Sequence, residues 1–199
     1  MNLKIIKYNA GNIQSVLYAL ERMGVSAEVT NDLEKIRAAD KVIFPGVGQA
    51  SSAMKSLKEN NLDQLIKDLK QPVLGICVGM QLLCRHSEEN DTECLGVVPV
   101  QVKKFPTNHS IKIPQIGWNN IYQLKTSLFE DIQENSFIYN VHSYYAEDSE
   151  YTIATCHYAI DYAAAVQKDN FFGLQFHTEI SAEVGEKILN NFLKLELRG

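Results

Sequence analysis

The chain has 199 residues and a formal net charge of −5, and this length suits one domain with a sizeable hydrophobic core. Its 45% hydrophobic and 22% charged residues are ordinary for a soluble globular protein, and the acidic balance argues against a nucleic-acid or acidic-membrane partner. No apolar stretch approaches the roughly 20 residues that span a bilayer. No signal-peptide pattern precedes the first strand, so the sequence predicts a cytoplasmic protein.

The first half of the chain alternates apolar runs with segments of helical periodicity. Strands are predicted at 3–8, 27–30, 40–44 and 72–76, and helices at 12–23 and 50–70. The short connections between them predict a parallel sheet with helices on both faces, a three-layer α/β arrangement. Ligands bind at the carboxyl ends of the strands in such sheets.

The second half has a different pattern, with many strand-like segments and few helices between them. Strands are predicted at 96–105, 121–124, 137–141, 152–156, 163–167 and 172–176, before a closing helix at 182–197. This pattern indicates an antiparallel extension of the central sheet. The chain contains no internal repeat or linker, so we expect a single domain over residues 1–199.

The four cysteines form neither a CxxC pair nor a short disulfide framework, so free thiols are expected in a reducing compartment. The cysteines and histidines also lack zinc-site spacing, and neither a metal nor a cofactor is predicted. The cysteines are Cys77, Cys84, Cys94 and Cys156.

Cys77 follows an apolar strand directly and has a glycine on each side, in Gly75-Ile76-Cys77-Val78-Gly79-Met80-Gln81. The glycines allow the unusual backbone angles of a sharp strand-to-helix turn and leave room for a ligand to approach. The start of the helix supplies backbone N–H groups and a positive dipole end, which favour a thiolate and can receive an oxyanion. This pattern is typical of a cysteine nucleophile. A buried cysteine in a tight turn would leave the same local pattern, and this segment alone does not separate the two.

His177 and Glu179 stand at the end of another apolar strand, in Phe171-Phe172-Gly173-Leu174-Gln175-Phe176-His177-Thr178-Glu179. In extended backbone, residues i and i+2 project to the same side, so both side chains can face one site. A cysteine nucleophile needs a base, and the imidazole of that base is best oriented by a carboxylate. Cys77, His177 and Glu179 are therefore the candidate catalytic residues.

A second glycine-rich turn, Pro45-Gly46-Val47-Gly48, follows a neighbouring strand. Its backbone N–H groups, that of Val47 among them, are candidates to form an oxyanion hole with the N–H of Val78. A turn with only a packing role would have the same composition, and the sequence leaves this alternative open. A phosphate-binding loop is disfavoured because the chain has no GxGxxG pattern and no Walker lysine.

These three segments resemble those of the class I (triad) glutamine amidotransferases. Two further segments, Ile113-Pro114-Gln115-Ile116-Gly117-Trp118-Asn119 and Tyr139-Asn140-Val141-His142-Ser143-Tyr144-Tyr145, are similar to the glutaminase subunits of imidazole glycerol phosphate synthases, as is Gly11-Asn12. The resemblance covers the whole chain in order and size, and it implies the three-layer, flavodoxin-like α/β fold of that class. It implies that Cys77 attacks the carboxamide of glutamine, that His177 and Glu179 manage the protons, and that ammonia passes to a separate (β/α)₈ barrel cyclase subunit.

The resemblance also implies roles for other residues. Those that align with positions holding the substrate glutamine are Gly48, Gln81, Ser143 and Tyr144. Those that align with positions near the partner interface are Asn12, Gln115, Trp118 and Tyr139, with Trp118 as the expected anchor. The chain departs from the family pattern at several places: Thr178 replaces a usual proline, Gln115 a common histidine, Ile180 a frequent lysine, and Gln49-Ala50 stands where an aromatic is usual.

Three alternatives to a histidine-biosynthesis glutaminase stay open at the level of sequence. In the first, the same glutaminase serves a paralogous barrel enzyme that aminates a sugar nucleotide, and the altered interface positions motivate this hypothesis. In the second, the chain is a catalytically quiet docking subunit, against which the intact Cys77, His177 and Glu179 speak. A free-standing cysteine hydrolase is the third alternative, and it predicts strong activity without any partner.

Overall fold

A computed structural model describes residues 1–9, 12–107 and 111–196 of the chain. The helices in these ranges are α1 (Ile13–Arg22), α2 (Leu33–Arg37), α3 (Ala50–Glu59), α4 (Leu62–Asp68), α5 (Val78–Leu83) and α6 (Ala182–Lys194), with 3₁₀ turns at Ser127–Phe129 and Thr178–Ile180. The strands are β1 (Leu3–Ile6), β2 (Glu28–Thr30), β3 (Lys41–Gly46), β4 (Val73–Cys77), β5 (His86–Ser87), β6 (Thr92–Glu93), β7 (Gln101–Lys104), β8 (Gln115–Tyr122), β9 (Ser136–His142), β10 (Tyr144–Ala146), β11 (Thr152–Tyr158), β12 (Ile160–Lys168) and β13 (Phe171–Leu174). None of the helices in the described ranges is long and apolar enough to span a membrane.

A parallel sheet in the order β2-β1-β3-β4-β13 forms the centre of the molecule. Every residue of β1, β3, β4 and β13 is buried. A strand that is buried throughout is covered on both faces, which explains why these segments appear in the sequence as continuous apolar runs rather than alternating ones. The carboxyl ends of β3, β4 and β13 are adjacent, and they carry the three segments that the sequence singled out.

The sheet continues beyond β13 with antiparallel strands. β12 pairs with β13, β10 with β12, and β7 with β10, while β11, β8 and β9 branch from β12. In the β8–β9 hairpin, Gln115 pairs with His142 and the register runs to Ile121 opposite Ser136. The predicted fold class, an α/β sheet with an antiparallel extension in the second half, is confirmed.

Some predicted elements differ in detail. The helix predicted over 50–70 is two helices, because Asn61 adopts a left-handed backbone (φ 55°) between α3 and α4. The strand predicted at 121–124 overlaps only the last two residues of β8, because the polar residues earlier in that strand obscure its pattern in the sequence. The short helix α2 was not predicted, although Asp32 caps it by accepting hydrogen bonds from the backbone N–H groups of Glu34 and Lys35. Gly11 and Leu197 lie outside the described residues.

Gly79, in the first turn of α5, lies against the backbone of β3. A Cβ atom there would stand 1.9 Å from the carbonyl oxygen of Phe44, so even an alanine side chain would push the backbone of α5 away from that of β3. We expect Gly79→Ala to lower the free energy of unfolding by about 3 kcal/mol or more, measured by urea denaturation. The control is Gly24→Ala, where φ is +71° but no atom lies within 4 Å; strain alone should cost about 1–2 kcal/mol. Equal losses in the two variants would contradict the close packing of α5 on β3.

Candidate active site

Cys77 ends β4, and α5 begins at the next residue. Its backbone has φ 54° and ψ −113°, a conformation that costs a non-glycine residue on the order of 1–3 kcal/mol. The surrounding structure holds it there, because Gly79 allows α5 to lie directly on β3. The side chain is 3% exposed, and its Sγ atom lies 3.8 Å from the carbonyl oxygen of Val141. The strained turn therefore presents a thiol at the carboxyl edge of the sheet, as the local sequence predicted.

His177 and Glu179 contact each other directly. His177 Nδ1 lies 2.7 Å from Glu179 Oε1, and both side chains are buried. The i, i+2 spacing predicted an extended backbone from His177 to Glu179, but β13 ends at Leu174 and the contact is made around the 3₁₀ turn Thr178–Ile180. The expected pairing is present, although the assumed backbone conformation was wrong.

The pKa of His177 is raised to about 10. Burial lowers this pKa, but the interactions of the ring with Cys77 and with the Glu179 carboxylate outweigh the effect of burial. The ring is thus protonated near neutral pH, with Nδ1 donating to Glu179 and Nε2 left for Cys77. By contrast, burial lowers the pKa of His142 in the same cavity to about 4, so that ring is neutral.

A cavity of about 260 Å³ opens over Cys77, a size that suits a small metabolite. Cys77 and His177 line it together with the other residues predicted for substrate and oxyanion, which are Val47, Gly48, Val78, Gln81, Ser143 and Tyr144. Glu179 lies behind His177. The structure thus gathers side chains from the ends of β3, β4, β9 and β13 around one space. Among the residues that the structure describes, no cluster of three histidine, cysteine or carboxylate side chains has the geometry to hold a metal ion.

Glu89 also lines this cavity, although no sequence motif marks it as a site residue. Its Oε2 atom accepts a hydrogen bond of 2.7 Å from the backbone N–H of Ala50, at the start of α3. This contact fixes the carboxylate beside the turn that contains Gly48. Along the chain, Glu89 belongs to an ordinary acidic turn with Glu88 and Asp91, so its sequence context carries no signal of this position.

Comparison with known proteins agrees with this geometry. The sequence model of the family described as glutamine amidotransferase class-I matches residues 4–195. The chain belongs to the class I glutamine amidotransferases. Among curated relatives of this amidotransferase, the imidazole glycerol phosphate synthase subunit HisH of Bacteroides fragilis is 55% identical over 196 residues, covering 98% of this chain and 100% of the relative. The subunit of the same name from Bacteroides thetaiotaomicron is 52% identical with the same coverage, and that of Shewanella loihica is 43% identical over 96% of this chain and 89% of its own.

Solved structures support the amidotransferase fold. A crystal structure described as a glutamine amidotransferase superposes with a TM-score of 0.75 at 15% identity, covering 98% of each chain. The crystal structure of a glutamine amidotransferase from Thermotoga maritima gives a TM-score of 0.63 at 16% identity, covering 97% of this chain and 82% of its own. At these identities the likeness concerns the fold alone.

The β8–β9 hairpin of the amidotransferase exposes a row of apolar side chains beside the cavity. Ile116 pairs with Val141 across the hairpin and Trp118 with Tyr139, and the rings of the second pair meet edge to face at 5.6 Å. Trp118 is 53% exposed and Ile116 is 62% exposed, unusual values for large apolar residues. We call these residues, with Phe137, the hairpin face: Ile116, Trp118, Phe137, Tyr139 and Val141.

Two other residues predicted for the partner interface lie elsewhere. Gln115 is on the inward side of β8, 3% exposed, and its Oε1 atom accepts a hydrogen bond of 3.0 Å from the Tyr162 hydroxyl. Because side chains alternate along a strand, Gln115 and Trp118 face opposite sides, and Gln115 is not available for direct contact. Asn12 is exposed immediately before α1.

Proposed function

We propose that this chain is the glutaminase subunit of an imidazole glycerol phosphate synthase in histidine biosynthesis. It hydrolyses glutamine to glutamate and ammonia and delivers the ammonia to a cyclase subunit. The observation that carries the proposal is that Cys77 and His177 line one cavity and Glu179 contacts His177 from behind, in a chain whose relatives are HisH subunits. The names of those relatives also favour this partner over a barrel enzyme that aminates a sugar nucleotide.

The reaction follows from the positions of these groups. The Cys77 thiolate attacks the side-chain carboxamide carbon of glutamine, and the N–H groups of Val47 and Val78 receive the negative oxygen. The His177 imidazolium gives its proton to the nitrogen, which leaves as ammonia. Neutral His177 then takes a proton from a water molecule that attacks the γ-glutamyl thioester. Glutamate leaves and the thiolate and imidazolium are restored, with Glu179 holding the ring throughout.

The substrate glutamine is held by the other residues that line the cavity. Gly48, Gln81, Ser143 and Tyr144 surround the space that its chain would fill. Glu89 adds a negative charge, and free glutamine carries one positive group, the α-ammonium. We therefore assign Glu89 to that group, a role that complements the charge of the ligand.

Glu89→Gln should raise KM for glutamine by about 10- to 100-fold, because a charge-assisted hydrogen bond contributes roughly 1.5–3 kcal/mol. The value of kcat should change little, since the ammonium is remote from the reacting carboxamide. Steady-state kinetics of the complex measure both constants. The matched control is Glu88→Gln: Glu88 is exposed, and its carboxylate accepts a hydrogen bond from the backbone of Lys104. Equal KM changes in the two variants would remove Glu89 from the substrate site.

The partner of the proposed function is a (β/α)₈ barrel cyclase that binds the hairpin face. The main argument is position, because Val141 belongs to the hairpin face and also lines the cavity, where its carbonyl oxygen faces the Cys77 sulfur. A partner docked there would be adjacent to the site at which ammonia is released. There the cyclase would combine ammonia with its own ribotide substrate, a phosphoribulosyl-formimino aminoimidazole carboxamide ribotide, to form imidazole glycerol phosphate and aminoimidazole carboxamide ribotide. We assign the role of anchor to Trp118.

Trp118→Ala should weaken binding to the cyclase by about 30-fold or more, the loss typical of a central aromatic anchor. Isothermal titration calorimetry of the two purified proteins measures the change. Tyr18→Ala is the control, since Tyr18 is 55% exposed but belongs to α1 rather than to the hairpin face. Undiminished affinity in Trp118→Ala would show that the cyclase binds elsewhere.

Glutamine turnover by the isolated chain, compared with turnover in the presence of the cyclase and its ribotide, tests the proposal as a whole. We expect near-silence alone and strong activation in the complex. Strong activity without the partner would favour the free-standing hydrolase. If labelled glutamine never attached to Cys77 in the complete system, the chain would be a docking subunit.

The proposed function also includes the extent of the domain, the absence of a cofactor and the cellular compartment. Residues 1–199 form one amidotransferase domain, which the family match over residues 4–195 and the continuous core support. The reaction uses no cofactor or metal, because the thiol, the imidazole and water suffice for each step. The chain works in the cytoplasm, where a reducing environment keeps Cys77 available as a thiol.

A further inference from the structure

Gln175 is a fully buried polar residue that the mechanism above does not use. It follows β13 and has 0% exposure, and its backbone N–H donates to the Ala164 carbonyl at 2.8 Å. A buried side-chain amide carries an acceptor and two donor hydrogens, and each needs a partner inside the protein. The partners of Gln175 therefore indicate what the residue does.

The hydrogen bonds that link Gln175 with Gln81 and Cys77 can be oriented by starting from the backbone carbonyl of Tyr144. The backbone carbonyl of Tyr144 can only accept, so the Gln81 atom that lies 3.0 Å from it is the donor Nε2. This same Nε2 lies 3.0 Å from the Gln175 side chain, whose facing atom must then be the acceptor Oε1. The Gln175 Nε2 is consequently directed away from Gln81, and it lies 4.0 Å from Cys77 Sγ.

We propose that Gln175 is a positioning residue for both the nucleophile and the substrate glutamine. Its Nε2–H donates to the Cys77 sulfur and favours the thiolate over the thiol, because a hydrogen bond to the charged form stabilises that form. The Gln175 Oε1 atom holds the Gln81 amide in one orientation. Both Nε2 hydrogens of Gln81 are then occupied, and the Oε1 atom of Gln81 is left for the substrate. The contact with sulfur is long at rest, as catalytic hydrogen bonds often are before substrate binds.

This inference rests on the proposed function, since it assigns Gln175 a part in that reaction. A purely structural role, in which Gln175 only fills space and anchors Gln81, makes a different prediction. It would leave the ionisation of the sulfur untouched. The deciding measurement is therefore the pH dependence of Cys77 alkylation by iodoacetamide, which reports the thiolate and needs no glutamine turnover.

Two variants separate the two contacts of Gln175. Gln175→Met removes both the donor to sulfur and the acceptor for Gln81 at similar volume, whereas Gln175→Glu removes the donor and keeps the acceptor. Both should move the pH midpoint of Cys77 alkylation upward and lower kcat by about 10-fold or more in the complex with the cyclase. Only Gln175→Met should also raise KM for glutamine, because only there is the Gln81 amide free to rotate. A wild-type alkylation midpoint in Gln175→Met would refute the proposal.

A measurement on the unaltered side chain covers the case in which neither variant folds. In the wild-type chain, the side-chain amide ¹⁵N–¹H signal of Gln175 should shift over the pH range in which Cys77 becomes reactive. The shift should vanish in Cys77→Ala. A Gln175 amide signal that does not shift over this pH range would refute the hydrogen bond to sulfur. Failure of the proposed function is seen separately, as absence of glutamine turnover by the wild-type complex.

Discussion

Cys77→Ala will abolish glutamine-dependent synthesis by the complex while leaving synthesis from added ammonium salt intact. The variant has no sulfur to form the γ-glutamyl thioester, and loss of a catalytic nucleophile costs on the order of 10⁴-fold or more in kcat. Ammonia supplied from solution bypasses that step, because it is the product that the glutaminase would deliver. Product formation by the cyclase, assayed once with glutamine and once with an ammonium salt as nitrogen source, measures both activities.

The chain offers a matched control for this substitution. Cys84 is a buried cysteine at the other end of α5, and burial raises the pKa of its thiol far above the ordinary value. Cys84→Ala should therefore keep glutamine-dependent synthesis, apart from any loss of stability. Retention of full glutamine use by Cys77→Ala would overturn the triad assignment. Loss of ammonium-dependent synthesis as well would mean that the substitution damages the complex rather than the chemistry.

Local sequence predicted the centre of this protein because its strands are buried on both faces. β1, β3 and β4 appear as short apolar runs between helices, so both their existence and their parallel order follow from the pattern. The turn at Cys77 was predictable for a related reason. Flanking glycines are needed there, as the 1.9 Å approach at Gly79 makes plain.

Contacts between distant segments were less accessible from the sequence. Glu89 reaches the cavity only because β5 and its acidic turn fold back beside α3, and nothing in its local context marks that position. Gln115 illustrates the importance of register. It lies three residues from Trp118 on the same strand, so the alternation of side chains directs it inward to Tyr162 while Trp118 faces outward.

Glu179→Gln should lower glutamine turnover by about 10³-fold, because it removes the charge that orients His177 and stabilises its protonated ring. The exchange retains the shape of the side chain. Glu179 Oε1 contacts the ring, and its buried Oε2 has no hydrogen-bond partner among the described residues, so the imidazolium is the main group that balances its charge. Turnover is measured in the complex with the cyclase. The control is Glu183→Gln, in the exposed first turn of α6.

The same variant should change how the stability of the protein depends on pH. The pKa of His177 is raised to about 10 in the folded chain, where burial opposes the shift and Cys77 and Glu179 cause it. In the unfolded chain the pKa of histidine is about 6.5. The protonated ring therefore adds stability that is fully present below about pH 6.5 and is lost as pH rises through about 10. The free energy of unfolding, measured with urea across this pH range, should decline less with rising pH in Glu179→Gln than in the wild type or in Glu183→Gln. An unchanged decline, together with turnover close to that of the wild type, would mean that His177 is held by something other than Glu179.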